Sequence, residues 1–388
     1  MASLVRWTAW AVGAAAAGGA AIGAVWAIKD IPVAMGARPD GDRAERVRRS
    51  PQFRDGKFRN PVPGTVVTVS GRDIFREWRR RDESRKPAQP IPVITGMPAP
   101  TSSGLHVTWL GHATTLIEID GRRVLLDPVW SDRCSPSQVV GPKRLHALPY
   151  PLEALPEIDA VVISHDHYDH LDMQTVRALA RDQSAPFLVP LGVGAHLQRW
   201  GVPESRIIEL DWDESATVSG VRFTITAARH FSGRGFSRDG TLWGSWVIAG
   251  PTPTSGAQRK VFYTGDTGYF DGFARIGAQH GPFDATLVQV GAYGEGWPDI
   301  HMTPEDGVRA HRDARGGLMI PVHWCTFVLA FHAWAEPVER VWREAKELDV
   351  RLAVPRPGQR IDVDNPPEVD GWWQAAASQM GEQDQGRP

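Results

Sequence analysis

The chain has 388 residues, 42% hydrophobic and 23% charged, which is ordinary globular usage and excludes a mostly disordered, collagenous or coiled-coil protein. Its 43 basic and 45 acidic residues give a net charge of −2, so no global positive field marks nucleic acid as a partner. Cys134 and Cys325 are the only cysteines, which rules out a disulfide scaffold and any CxxC zinc or redox motif and leaves His and carboxylates to ligate a metal.

Residues 1–30 read as a hydrophobic segment. From Trp7 to Ile28 there are 22 residues without a charge, enough for a helix to cross a hydrocarbon core of about 30 Å. The run is rich in Ala and Gly, so a cleaved signal peptide with Arg6 as its positive region stands beside an uncleaved membrane anchor. Lys29, Arg38, Arg43, Arg46 and Arg48 follow the run, and this basic flank places the bulk of an anchored protein on the cytoplasmic side; signal cleavage would instead give an exported form. Residues 31–104 are basic and Pro-rich and read as a linker or wrapping extension. Its runs at Arg46–Arg49 and Arg79–Arg81 read either as a solvated face or as attraction to anionic headgroups.

A catalytic domain is expected over 105–365. Val107–Leu110, Thr115–Ile119 and Val124–Leu126 read as strands, with Asp120-Gly121 as a hairpin turn. Ala160–Ile163 reads as a strand buried on both faces, followed by a helix from Met173 to Ala180. Alternation over 221–227 marks a half-buried strand, and further strands are expected at 246–248, 261–263, 285–290 and 318–322. Helices are expected over Pro304–His311 and Pro337–Leu348. Residues 366–388 form a tail with no assigned role.

The loop after Ile163 reads Ser164-His165-Asp166-His167-Tyr168-Asp169-His170. So many titratable groups directly after a buried strand are costly unless something organises them, and a metal does. His230, Asp266 and His323 each follow an expected strand, the edge at which α/β sheets form clefts. The set is then complete for two zinc ions: His165, His167 and His230 on one, Asp169, His170 and His323 on the other, Asp266 bridging, and room for a shared water or hydroxide. Other divalent metals suit the same donors.

The HxHxDH loop with the later His, Asp and His resembles the metallo-β-lactamase superfamily. Within it, Thr108-Trp-Leu-Gly-His112-Ala-Thr, Asp127-Pro, Gly141-Pro-Lys-Arg144, Leu242-Trp-Gly-Ser-Trp246, Gly265-Asp-Thr-Gly-Tyr269 and Val322-His-Trp324 resemble the N-acyl-phosphatidylethanolamine-hydrolysing phospholipases D. Ser50-Pro-Gln-Phe-Arg-Asp-Gly-Lys-Phe-Arg-Asn-Pro61, in the extension, is similar to the segment before that family's domain. The resemblance implies a four-layer αββα sandwich, zinc at the seven residues above, and a substrate-facing His301 in His301-Met-Thr-Pro-Glu305. It makes Asp169, Asp266 and His301 the candidate catalytic groups. The implied reaction is phospholipase D type hydrolysis of a phospholipid at a membrane surface. Lactone, cyclic-nucleotide or β-lactam hydrolysis at the same ions is the rival chemistry. A non-catalytic membrane scaffold is the rival of another class, and loss of a ligand would be its mark; all seven are present. Cys325 departs from the family, which has Gly after His-Trp.

Overall fold

The computed structural model describes residues 30–63, 72, 76, 79, 82–235, 237–252 and 256–377. The expected span at 7–28 lies outside the described residues. Among the described residues no helix is long and apolar enough to cross a membrane.

The extension begins with two helices, α1 (Ile31–Ala34) and α2 (Gly41–Arg49), and a small hairpin of β1 (Phe53–Arg54) and β2 (Lys57–Phe58). It wraps the domain. Phe58 and Ile91 are buried in the main core, and the Ile94 amide donates to the Pro357 carbonyl at 2.9 Å. Several of its cations have partners: Arg43, its side chain only 8% exposed, pairs with Glu209 at 2.6 Å and Glu204 at 2.7 Å, and Arg46 pairs with Glu214.

The first sheet starts as an antiparallel meander of β3 (Leu105–Gly111), β4 (Thr114–Ile119) and β5 (Arg122–Leu126). Asp120 and Gly121 both take positive φ between β4 and β5, the backbone that a two-residue hairpin turn with matching twist requires. Three parallel strands follow, β6 (Ala160–Val162), β7 (Phe187–Pro190) and β8 (Ile207–Leu210). The second sheet contains β9 (Ser215–Val218), β10 (Val221–Thr226), β11 (Ser245–Ala249) and β12 (Lys260–Tyr263), all antiparallel, then β13 (Phe283–Gln289) and β14 (Gly316–Val322) in parallel. Finally β15 (Arg360–Asp362) returns to the first sheet beside β3, giving orders 15-3-4-5-6-7-8 and 14-13-12-11-10-9.

Successive residues of the first sheet go to opposite sides. Ile117, Val124, Leu126 and Val162 join the core shared with Phe223, Ile225, Trp246 and Ile248 of the second sheet. Leu116, Leu125 and Val161 pack instead with Val176 and Leu179 of α3 (Met173–Asp182) and Leu197 of α4 (Gly194–Arg199). This is the two-residue period of a strand buried on both faces. The far side of the second sheet is covered by α5 (Gly272–His280), α6 (Pro304–Asp313) and α7 (Glu336–Glu347), which bury Phe273, Val308 and Val338. Helix, sheet, sheet, helix is the four-layer sandwich expected. A last helix, α8 (Trp372–Ala377), buries Trp372 and Trp373 in the same core.

Candidate metal centre

The carboxyl ends of β6, β12 and β14 lie at one edge of the sandwich, and the candidate residues follow them. β6 runs through Ile163 and Ser164 into the loop of His165, His167, Asp169 and His170, which Asp172 closes by accepting the amides of Gln174 and Thr175 at the start of α3. Asp266 lies three residues past β12, His323 directly follows β14, His230 is four residues past β10, and His301 precedes α6. The structure brings all eight together, and His165, His170, His230, Asp266 and His323 are buried.

Two groups of donor atoms share Asp266. In the first, His165 Nε2 is 2.9 Å from His167 Nδ1, which is 3.2 Å from His230 Nε2. The other ring nitrogen of His230 faces the Ile300 carbonyl at 2.9 Å, and a carbonyl only accepts, so Nδ1 carries the proton and Nε2 presents a lone pair. In the second, Asp169 Oδ2 is 3.2 Å from His323 Nε2 and 3.4 Å from His170 Nε2. Asp266 Oδ2 is 3.1 Å from His170 Nε2 and 3.0 Å from His323 Nε2, and 3.9 Å from the Nε2 atoms of His165 and His230. It stands between the two groups.

These contacts suit a cation better than hydrogen bonds. Lone pairs converging at about 3 Å repel, whereas four donors about 2.0–2.1 Å from a tetrahedral ion stand roughly 3.3 Å apart. His170 Nε2 and Asp266 Oδ1 are buried without a hydrogen-bond partner, as atoms reserved for an ion would be. The carboxylates also make the second group a sink for positive charge, whether a proton or a metal ion. Burial lowers the basicity of His170, but the carboxylates of Asp266 and Asp169 outweigh it and hold the imidazole well above its ordinary pKa. His323 is raised to about 9, with burial opposing and Asp266 and Asp169 prevailing. In the first group burial and neighbouring imidazoles hold His165 and His230 well below the ordinary value, which keeps them as neutral ligands.

A second layer orients these groups. Asp127, fully buried, accepts His170 Nδ1 at 2.7 Å, the Ser164 amide at 2.7 Å and the Ser164 and Tyr263 hydroxyls at 2.5 Å. His112, which the sequence reading did not assign a role, places Nε2 2.9 Å from Asp169 Oδ2. Its backbone has φ of 53°, held by Thr326, Trp109 and His323. The signal in the sequence is a His set behind a Gly directly after an apolar strand. Cys325 is buried, and burial pushes its thiol well above the ordinary range, so it packs as a small apolar group.

Above the donors lies a cavity of about 1080 Å³. His167, Asp169, Asp266, His301 and His323 face it, Phe231, Trp297, Ile300, Leu329 and Phe331 give it apolar walls, and Lys86 and Lys143 stand at its exposed rim. His301 Nε2 is 3.9 Å from Asp266 Oδ2, and burial pushes its imidazole down to about 4.

A family model described as the beta-lactamase superfamily domain matches residues 122–324, more than half of the chain. The chain belongs to the metallo-β-lactamase superfamily. This superfamily member is 51% identical to an uncharacterized protein of Mycobacterium tuberculosis over 369 residues, 92% of this chain and 97% of that protein. It is 36% identical to N-acyl-phosphatidylethanolamine-hydrolyzing phospholipase D 1 of Caenorhabditis elegans over 250 residues, 61% of this chain and 68% of that protein. Among solved structures, a metallo hydrolase of the archaeon Ignicoccus hospitalis superposes with a TM-score of 0.50 at 21% identity, covering 66% of this chain and 97% of that one, a likeness of fold. As a metallo-β-lactamase family hydrolase, the protein carries its candidate metal-binding His and Asp groups at the edge of the sandwich.

Proposed function

We propose that the protein hydrolyses N-acyl-phosphatidylethanolamine in the phospholipase D sense, releasing an N-acylethanolamine and phosphatidic acid, with two zinc ions as its cofactor. His165, His167 and His230 would hold one ion, Asp169, His170 and His323 the other, and Asp266 would be shared. Bound there, the ions supply Lewis-acid charge and lower the pKa of water from about 15.7 toward 7.

The observation that carries the reading is the cavity. Its floor is the His and Asp cluster, its walls are apolar, and its rim carries Lys86 and Lys143, so a phosphodiester can lie over the cluster while acyl chains meet Phe231, Trp297 and Phe331. The lysines attract the phosphate; the aromatic walls exclude water from it. His301, kept neutral by burial, offers a ring nitrogen to a phosphate oxygen or to the departing ethanolamide oxygen. The similarity to the nematode phospholipase supports the same substrate class. The reading puts the protein at a membrane surface, on the cytoplasmic side by the basic flank of residues 7–28.

The test uses the full chain with its metal content measured, on N-acyl-phosphatidylethanolamine micelles and on a soluble aryl phosphodiester. Zinc-dependent cleavage of both with the lipid preferred, and near-complete loss in Asp266→Ala, is the expected result. Cleavage of the soluble ester alone refutes the lipid assignment and leaves another ester chemistry at the same ions. Near-normal activity with both metals retained in Asp266→Ala overturns the site itself.

A further inference from the structure

His230 sits on a stretch of backbone with no ladder to hold it. Between Thr226, where β10 ends, and Ser245, where β11 begins, the described residues form neither helix nor strand. A buried peptide needs partners for its N–H and C=O, and a ligand needs its backbone fixed before its side chain can be. Both partners come from one side chain about 170 residues earlier: Asn60 Oδ1 accepts the His230 amide at 2.8 Å, and Asn60 Nδ2 donates to the His230 carbonyl at 2.8 Å. A planar amide with donor and acceptor side by side makes this pair of bonds; a carboxylate lacks the donor. The indole Nε1 of Trp243, which donates to the Ala228 carbonyl at 3.0 Å, also reaches the same Oδ1 at 3.2 Å, a donor on the side where the amide presents its acceptor.

Asn60 is itself held. Phe58, buried in the main core, donates its amide to the Asp239 carbonyl at 2.9 Å, and Arg59 donates to Gln52 at 3.0 Å. Pro61 follows and biases Asn60 to extended backbone. With Ile300 accepting from the ring, His230 is gripped at three points, two of them by the extension. The extension also reaches the other ligand loop: the Ala37 amide donates to His196 Nδ1 at 3.0 Å, and His196 Nε2 lies 3.3 Å from Asp166, the residue between His165 and His167.

We propose that Asn60 is a positioning residue of the metal centre, so that the extension and the catalytic domain form one metal-binding unit. The inference rests on His230 being a ligand, and the experiment separates the two claims. Full-length wild type, Asn60→Ala, Asn60→Asp and His230→Ala are loaded with Zn²⁺ and dialysed against graded chelator. Ions per chain are counted, Co²⁺ absorption spectra are recorded, and metal-free melting temperatures are measured. In Asn60→Ala one of the two ions should be lost at ten- to a hundredfold weaker chelation, about what removing a supporting hydrogen bond to a ligand does. The other ion should keep its wild-type affinity and the Co²⁺ spectrum should change at one site. Asn60→Asp, which keeps the acceptor and loses the donor, should fall between and decides the matter if the alanine variant does not fold. Two ions at wild-type affinity in both Asn60 variants, with one lost in His230→Ala, overturn the inference alone. Equal weakening of both ions with a lowered metal-free melting temperature overturns it too, by making Asn60 merely structural. Two ions retained in His230→Ala overturn the ligand assignment and the inference with it.

Discussion

Nε2 of His112 lies 2.9 Å from Oδ2 of Asp169, the carboxylate oxygen that also faces His170 and His323. The imidazole thus lies against the donors of the second group and aims the carboxylate of Asp169, a candidate ligand. His112→Ala should lower affinity for the ion at Asp169, His170 and His323 by about 10- to 100-fold while the His165, His167 and His230 position keeps its ion. Metal counts after mild chelation check this.

His301 faces the cavity and leaves Nδ1 buried without a hydrogen-bond partner. On the proposed reading it acts toward substrate, so His301→Ala should cut kcat by about 10²- to 10³-fold with two ions still bound. Steady-state kinetics beside metal analysis separates this from loss of a ligand, which would remove the ion as well.

Trp109 is fully buried and stacks on Trp324 with ring centroids 5.5 Å apart, and its Nε1 donates to the His112 carbonyl at 2.7 Å. Trp109→Ala should cost about 3–5 kcal/mol of stability through lost burial and the cavity left behind. Urea denaturation of the metal-free protein measures it without the ions' contribution.

His311, remote from the metal centre, packs its Nδ1 against the Thr286 hydroxyl at 2.7 Å. Burial, aided by Arg312, lowers its pKa from 6.5 to about 4 in the folded protein. The unfolded chain therefore binds the proton first: the stabilisation is fully present above about pH 6.5 and is lost as pH falls toward 4. Between pH 7 and 5 this amounts to about 2 kcal/mol, so His311→Gln should lose that much less stability than wild type across the same interval. Paired urea titrations at the two pH values give the difference.

The sandwich was legible where local pattern carries it. The alternation over 221–227 and the unbroken apolar run at 160–163 each marked a strand that is present, but β10 is not half-buried as its alternation suggested: Thr224 and Thr226 are buried and only Arg222 is exposed. The seven ligand candidates were legible because chemistry that is costly to bury was crowded after strands. What escaped depends on contacts distant in sequence. Asn60 looks like any turn residue until its amide meets His230, and β15 pairs with β3 across some 250 residues with no period to announce it. Trp372-Trp373 offered a usable signal, since two adjacent indoles in a polar segment are hard to leave in water.

The later part of the extension meets the last helix, α8. The amides of Ala88 and Gln89 both donate to the Ala376 carbonyl, at 3.0 and 3.1 Å, and β15 edges the first sheet beside β3. During synthesis, residues near 88 therefore wait for residue 376 before their last partners exist, and the edge of β3 stays open until 362 has emerged. Everything between β3 and β15 is made before that edge is covered, so the nascent protein exposes an unpaired strand edge throughout that stretch of synthesis.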